Sequence, residues 1–214
     1  MLASGRGSNF RALLRAQQNG SLPIELVAVL SDQPTATVLA IAGQVGIATW
    51  ARSARDYSSR DAFDEALFTE LQRIQPDLIV CAGYMRIIGA SVLTPWIGRM
   101  INIHPSLLPK YRGLHTHRRA LAAGDPEHGA SVHFVTAELD GGPLIAQARV
   151  PVLGDDDEAS LSARVLSREH PLLLACVKAM AEGEITWTAQ GPCYAGQLLS
   201  APLRLDQHDC LSIR

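Results

Sequence analysis

Between residues 24 and 103 one pattern recurs. A short apolar run ends in a turn, and a helix-length segment with one apolar side follows it. The runs are IELVAVLS (24–31), IATW (47–50), DLIVCAG (77–83) and GRMINI (98–103). Each is too short for a helix; IELVAVLS and DLIVCAG are too uniformly apolar for a strand with one wet face and read as buried strands, while IATW and GRMINI read as further short strands. Between them ATVLAIAGQVG is a helix stopped by glycine, and SRDAFDEALFTELQRIQP sets Ala62, Phe63, Ala66, Leu67, Leu71 and Ile74 on one side of a helical wheel, with Pro76 beyond its end. Strands alternating with helices of this length predict an α/β fold, a doubly wound, mostly parallel sheet with helices on both faces, of Rossmann type. Its first strand is apparently truncated, since only Met1, Leu2 and Ala3 precede the turn SGRGSN (4–9).

After Ile103 the texture changes. Residues 104–129 are rich in proline, glycine and basic side chains, with THRRALAAG as a short helix closed by Gly124, and a connection of this length inside a compact domain is more often functional than passive. ASVHFV (130–135) and LIAQARVPV (144–152), joined by AELDGGP, predict a hairpin at the far side of the sheet. The long segment 157–183 turns Leu161, Val165, Leu172, Val177 and Met180 to one side, and Pro171 is expected to bend or interrupt it. EITWTAQGPCYAGQLL (184–199) reads as a small hairpin.

Composition narrows the partners. An apolar share of 47% excludes wholesale disorder, and 19 basic against 21 acidic residues leave a net charge of −2, so no overall field recruits nucleic acid or anionic membrane. No apolar stretch is long enough to span a bilayer and no signal peptide is legible, which predicts a cytoplasmic protein. Cys81, Cys176, Cys193 and Cys210 lie far apart without CxxC spacing and read as reduced thiols, with no metal expected.

Three places could carry chemistry. SGRGSN joins a strand to a helix, where Ser8 or Asn9 can cap the helix and its positive end can meet an anion, a monophosphate more naturally than a triphosphate; an ordinary glycine-rich turn would read the same way. Asn102 and His104 project to one side of an extended strand at its carboxyl end, where open α/β sheets hold small ligands. Asn supplies a donor that does not titrate and His a proton exchangeable near neutrality, a pairing suited to charge developing on a carbonyl oxygen. Asp140 in LDGGP, if it faces His104, favours imidazolium; a plain Asp-Gly turn is the alternative on spacing alone. His115 and His117 lack an acidic partner nearby in sequence and read as part of a solvated basic loop. No Gly-x-Ser-x-Gly elbow or cysteine beside a base offers a covalent nucleophile.

Taken in order, SGRGSN, AGYMRI, INIHPSLLPKYRGLHTHRRAL, HGASVHFVTAELDGGPLIAQ and REH resemble the phosphoribosylglycinamide formyltransferase family over about residues 1–190, with GASVHFVTAELDGGP similar to a signature of enzymes that use 10-formyltetrahydrofolate. The resemblance implies a catalytic domain over 1–190, with a nucleotide-binding half (1–100) and a folate-binding and catalytic half (101–190), followed by a tail (191–214). It implies glycinamide ribonucleotide and formyl folate as the small-molecule partners of a monomer or homodimer. The nucleotide phosphate would meet Gly7, Ser8 and Asn9, and the ribose Glu169. The folate would meet Met85, Arg86, Ile87 and Ile88, together with Val135, Thr136, Ala137, Glu138 and Leu139. Asn102, His104 and Asp140 would be catalytic: imidazolium His104 and the Asn102 amide would stabilise the oxyanion while Asp140 organises proton exchange.

The family has a fuller first strand, and a start assigned too far downstream is the expected reason for the difference. The competing readings are a formyltetrahydrofolate hydrolase, a methionyl-tRNA formyltransferase and a non-catalytic folate or nucleotide binder. The end LDQHDCLSIR is shorter than the basic RNA-binding domain that the second of these carries, so that reading is not the expected one.

Overall fold

The structure, a computed structural model, describes residues 1–213. The chain divides into two units, Met1–Ile101 and the residues from Asn102 onward.

The first unit carries α1 (Ser8–Gln18), β1 (Ala28–Ser31), α2 (Thr37–Gln44), β2 (Ala48–Ala51), α3 (Arg60–Ile74), β3 (Ile79–Ala82), α4 (Ala90–Leu93) and the first residues of β4 (Met100–His104). The pairing of β1 with β2 and the bridges of Leu2 to Leu30 and Cys81 are parallel. The opening residues therefore lie between β1 and β3: Leu2 N–H donates to Val80 C=O at 2.8 Å and Ala3 N–H to Leu30 C=O at 3.1 Å. Leu2 is fully buried, as are all residues of β1 and β3, which is why these runs show no polar alternation. The apolar stretch at 24–31 yields only four residues of strand, because the Leu26 N–H turns to the Gln17 side chain at 3.1 Å instead of a neighbouring strand. α3 starts on the Ser59 hydroxyl, which accepts the Ala62 N–H at 3.0 Å, and ends at Gln75 in the left-handed region before Pro76. Phe63, Leu67, Phe68 and Leu71 form its buried side.

The second unit holds the end of β4, α5 (Thr116–Ala123), β5 (Glu127–Phe134), β6 (Leu144–Pro151), α6 (Glu158–Ala181), β7 (Ile185–Thr188), β8 (Gly191–Tyr194), β9 (Gln197–Leu198), β10 (Leu203–Leu205) and β11 (Leu211–Ser212). Its sheet order is β11-β10-β6-β5-β4, with β5 and β6 antiparallel as the expected hairpin and β10 parallel to β6. β7, β8 and β9 form a separate small sheet. α6 lies on β5 and β6. Contrary to expectation, it is not interrupted at Pro171 and stays helical over 24 residues. A capping box of Asp157 and Ser160 starts it, and buried Leu161 and Val165 before the proline, with Leu172, Leu173, Cys176 and Val177 after it, anchor both halves to one core. That burial outweighs the single backbone donor the proline lacks.

A polar network fixes the loop after β4 to the hairpin beneath it. The Ser131 hydroxyl donates to Ser106 C=O (2.7 Å) and accepts from the Leu108 N–H (3.1 Å), while the Gln147 amide donates to Leu108 C=O (2.8 Å) and to Ser131 Oγ (2.9 Å). The proline-broken segment is thus held by long-range bonds and not by helix or strand.

Candidate active site

β4 delivers Asn102 and His104 to the same side of the strand, two residues apart, with Ile103 buried on the other. Asp140 arrives from the turn after β5. Its main chain is left-handed (φ 46°), a conformation tolerated by Asp, and the glycines behind it permit the close turn. At Gly142 a Cβ would stand 1.8 Å from Phe134 O, so no larger residue fits there.

The turn sets Asp140 Oδ2 3.4 Å from His104 Nδ1, and the same oxygen accepts the Gly113 N–H at 2.8 Å. Asp140 Oδ1 lies 3.7 Å from His133 Nε2. His133 completes the group. Its Nδ1–H donates to Phe134 C=O at 2.9 Å, which leaves Nε2 to accept from the Asn102 amide at 3.1 Å. The sequence reading missed His133. The signal available was a polar pair, Ser131 and His133, at alternate positions of an otherwise apolar strand, both now fully enclosed.

Electrostatics correct one expectation. His104 is not favoured as imidazolium: burial lowers its pKa below the ordinary histidine value, outweighing the Tyr111 carbonyl and Asp140, which raise it, while His133 and Arg119 lower it further. The contact with Asp140 is therefore one between a carboxylate and a neutral ring near neutrality. For Asp140, burial alone would raise the pKa. The contact with His133, the Gly113 N–H and the two imidazoles outweigh it, and the group stays ionised below the usual carboxylate range. Burial pushes the thiols of Cys81 and Cys176 up, so neither offers a thiolate near neutrality.

The remaining predicted residues are placed as follows. In the first unit Gly7 is the N-cap of α1 in the left-handed region, where a Cβ would meet Val38 Cγ2 at 2.7 Å. The N-cap position is thus held by Gly7 and not by the expected Ser8 or Asn9, which both lie within the first turn. Met85 and Ile87 are 65% and 47% exposed, Ile88 is buried, and the Arg86 guanidinium stacks over the Phe63 ring at 4.8 Å. The segment is held by its neighbours: Met85 N–H donates to Ser4 Oγ at 3.0 Å and Gly89 N–H to the buried Asp64 carboxylate at 2.8 Å.

In the second unit Val135 and Thr136 are half-buried, Ala137 to Leu139 are exposed, and Glu138 pairs with Arg112. Glu169 lies half-buried on α6. His117 does not stand in a solvated loop. Its Nδ1 lies 3.2 Å from Nε2 of buried His128. Among the described residues no cluster of three metal-ligating side chains occurs, and no helix is long and apolar enough to cross a membrane.

Residues 1–177 match the formyl transferase family. The phosphoribosylglycinamide formyltransferase of Escherichia coli K12 is 45% identical over 199 residues, covering 93% of this chain and 94% of that protein. The protein of that name from Mycobacterium tuberculosis is 42% identical over 186 residues, 87% of this chain and 86% of its own length. Among solved structures, the phosphoribosylglycinamide formyltransferase of Coxiella burnetii superposes with a TM-score of 0.89 at 43% identity, covering 93% of each chain. Glycinamide ribonucleotide transformylase 1 of Symbiobacterium toebii gives 0.86 at 39% identity, covering 90% of this chain and 91% of that one. By sequence, fold and extent of match, the chain belongs to the formyl transferase family, among its phosphoribosylglycinamide formyltransferases.

Proposed function

We propose that the protein transfers the formyl group of 10-formyltetrahydrofolate to the primary amine of 5'-phosphoribosylglycinamide, with Asn102, His104 and Asp140 as its catalytic residues. The observation that carries the reading is the convergence of these three with His133 at the end of β4, in a chain 45% identical along nearly its whole length to a protein of that activity. The folate supplies a formyl carbon bonded to a nitrogen that can leave. Everything else is positioning and proton movement by the chain.

Neutral His104 is a base. With Nε2–H on the Tyr111 carbonyl, its lone pair is on Nδ1, beside Asp140. As the amine nitrogen bonds to the formyl carbon it sheds a proton, which Nδ1 accepts. The Asp140 carboxylate stabilises the imidazolium so formed. That proton then passes to the folate nitrogen as its bond to carbon breaks. The balance is one C–N bond made, one broken and one proton moved. Asn102 has a second N–H besides the one given to His133, and this donor stabilises charge on the formyl oxygen.

The proposal assigns the substrate phosphate to Gly7, Ser8 and Asn9 and the ribose to Glu169. It assigns the folate to Met85, Arg86, Ile87 and Ile88 and to residues 135–139. Exposed Met85 and Ile87 suit an apolar ring system that leaves water on binding. The proposal further takes 1–190 as the catalytic domain, with nucleotide-binding and folate-binding halves and a tail after it, in a cytoplasmic monomer or homodimer.

The deciding experiment follows tetrahydrofolate release from 10-formyltetrahydrofolate with and without glycinamide ribonucleotide. Release that requires the amine is expected. Release without it would assign a hydrolase, and no release a binding protein.

A further inference from the structure

The nitrogen of His104 that faces away from Asp140 is held by a main-chain group that no sequence pattern announces. Nε2 lies 3.0 Å from the Tyr111 carbonyl, and a carbonyl only accepts, so that nitrogen carries the proton of the neutral ring. The rival tautomer would donate from Nδ1 to Asp140, a charged and intrinsically stronger acceptor. Distance decides between them: the Nδ1 to Asp140 separation is 3.4 Å, beyond the ordinary N–H···O range, whereas the Tyr111 carbonyl falls within it. Were the carbonyl to withdraw, Asp140 would draw the proton to Nδ1 and remove the lone pair on which proton transfer depends.

Tyr111 is built to stay in place. Its main chain is left-handed (φ 58°), which a tyrosine does not adopt without support. The support comes from its side chain. The hydroxyl donates to Asp125 Oδ2 at 2.6 Å, the Lys110 ammonium holds Asp125 Oδ1 at 2.8 Å, and the Arg119 guanidinium lies 5.2 Å over the ring. The adjoining Lys110 carbonyl accepts from the Ser106 hydroxyl at 2.6 Å.

We propose that Tyr111 is a positioning residue for the reaction: its carbonyl selects the Nε2–H tautomer of His104, and its side chain, tied to Asp125, keeps that carbonyl in place. This rests on the formyl-transfer reading and adds to it the group that sets the state of its base.

The test compares the full-length protein with Tyr111→Phe, which removes only the hydroxyl, and Asp125→Asn, which removes only the charge. Long-range proton–nitrogen NMR of the ¹⁵N-labelled His104 ring, above its titration range, reads the tautomer directly. The parent is expected to show Nε2 protonated. In both variants the signals should move toward the Nδ1–H form while kcat falls about threefold to tenfold and both KM values stay within about twofold. Folded variants with the parent's tautomer, or with a changed tautomer and the parent's kcat, would overturn the proposal. A fall in kcat without a tautomer change would overturn it too. A parent without formyl transfer would sink the proposed function instead, and the NMR arm would still decide whether Tyr111 sets the tautomer.

Discussion

At Asp140 a single carboxylate has two jobs that pull its environment in opposite directions. It must be enclosed enough to act on His104 and yet remain ionised. Burial opposes the charge, while the Gly113 N–H and the two imidazoles restore it. Asp140→Asn keeps the shape and removes the charge, so the imidazolium formed in proton transfer loses its counter-charge. We expect kcat to fall at least about tenfold in a variant that still folds; a folded variant with the parent's kcat would end the assignment. Gly142 bears on the same turn through sterics. Gly142→Ala forces a methyl onto Phe134 O, and we expect a loss of about 1–3 kcal/mol or more, read as a lower urea midpoint. A midpoint equal to the parent's would show that the turn can open without cost. The sequence marks LDGGP as a turn and Asp140 as a candidate. It does not say which glycine is obligatory, because the clashing atom belongs to a strand end eight positions back.

At the scale of elements, periodicity and capping residues predict helices and strands well where the burial is one-sided or complete. α3 with Pro76 beyond its end and α5 with Gly124 behind it follow from local pattern. Two features do not. The apolar run at 24–31 loses half its expected strand to a side chain of α1, and α6 passes through Pro171 because core contacts on both sides hold it. The loop after β4 is the third case, since its order comes from Ser131 and Gln147 on the hairpin. Gln147→Leu would leave the buried Leu108 carbonyl without its amide donor, at about 1–3 kcal/mol. The same variant should lower kcat, because this loop presents the Tyr111 carbonyl and the Gly113 N–H to the site. Denaturation and steady-state rates measured together check both. A destabilised variant with full kcat would show that the loop holds its shape without the network.

For the whole molecule, buried histidines make stability depend on pH. Burial, followed by the neighbouring His117, lowers the pKa of His128 to about 4, and burial also lowers His104 and His117. In the unfolded chain these rings titrate near about 6.5. As pH falls through that value the unfolded state takes up protons that the folded state refuses, so stability declines from about pH 6.5 toward about 4, and none of this loss applies above it. Asp140, held low, adds a loss only at more acid pH. The thermal midpoint should drop across this window, and His128→Gln should flatten the slope. A midpoint constant over the same range would contradict the burial account.

The order and type of most elements, the α/β class and the family were legible in the chain, because hydrophobic periodicity and motif order are properties of neighbours in sequence. The protonation of His104, its tautomer, the partnership of Asn102 with His133 and the hold on Asp140 were not. Each is set by desolvation and by main-chain groups brought from distant positions, and these have no value until the chain has folded around them.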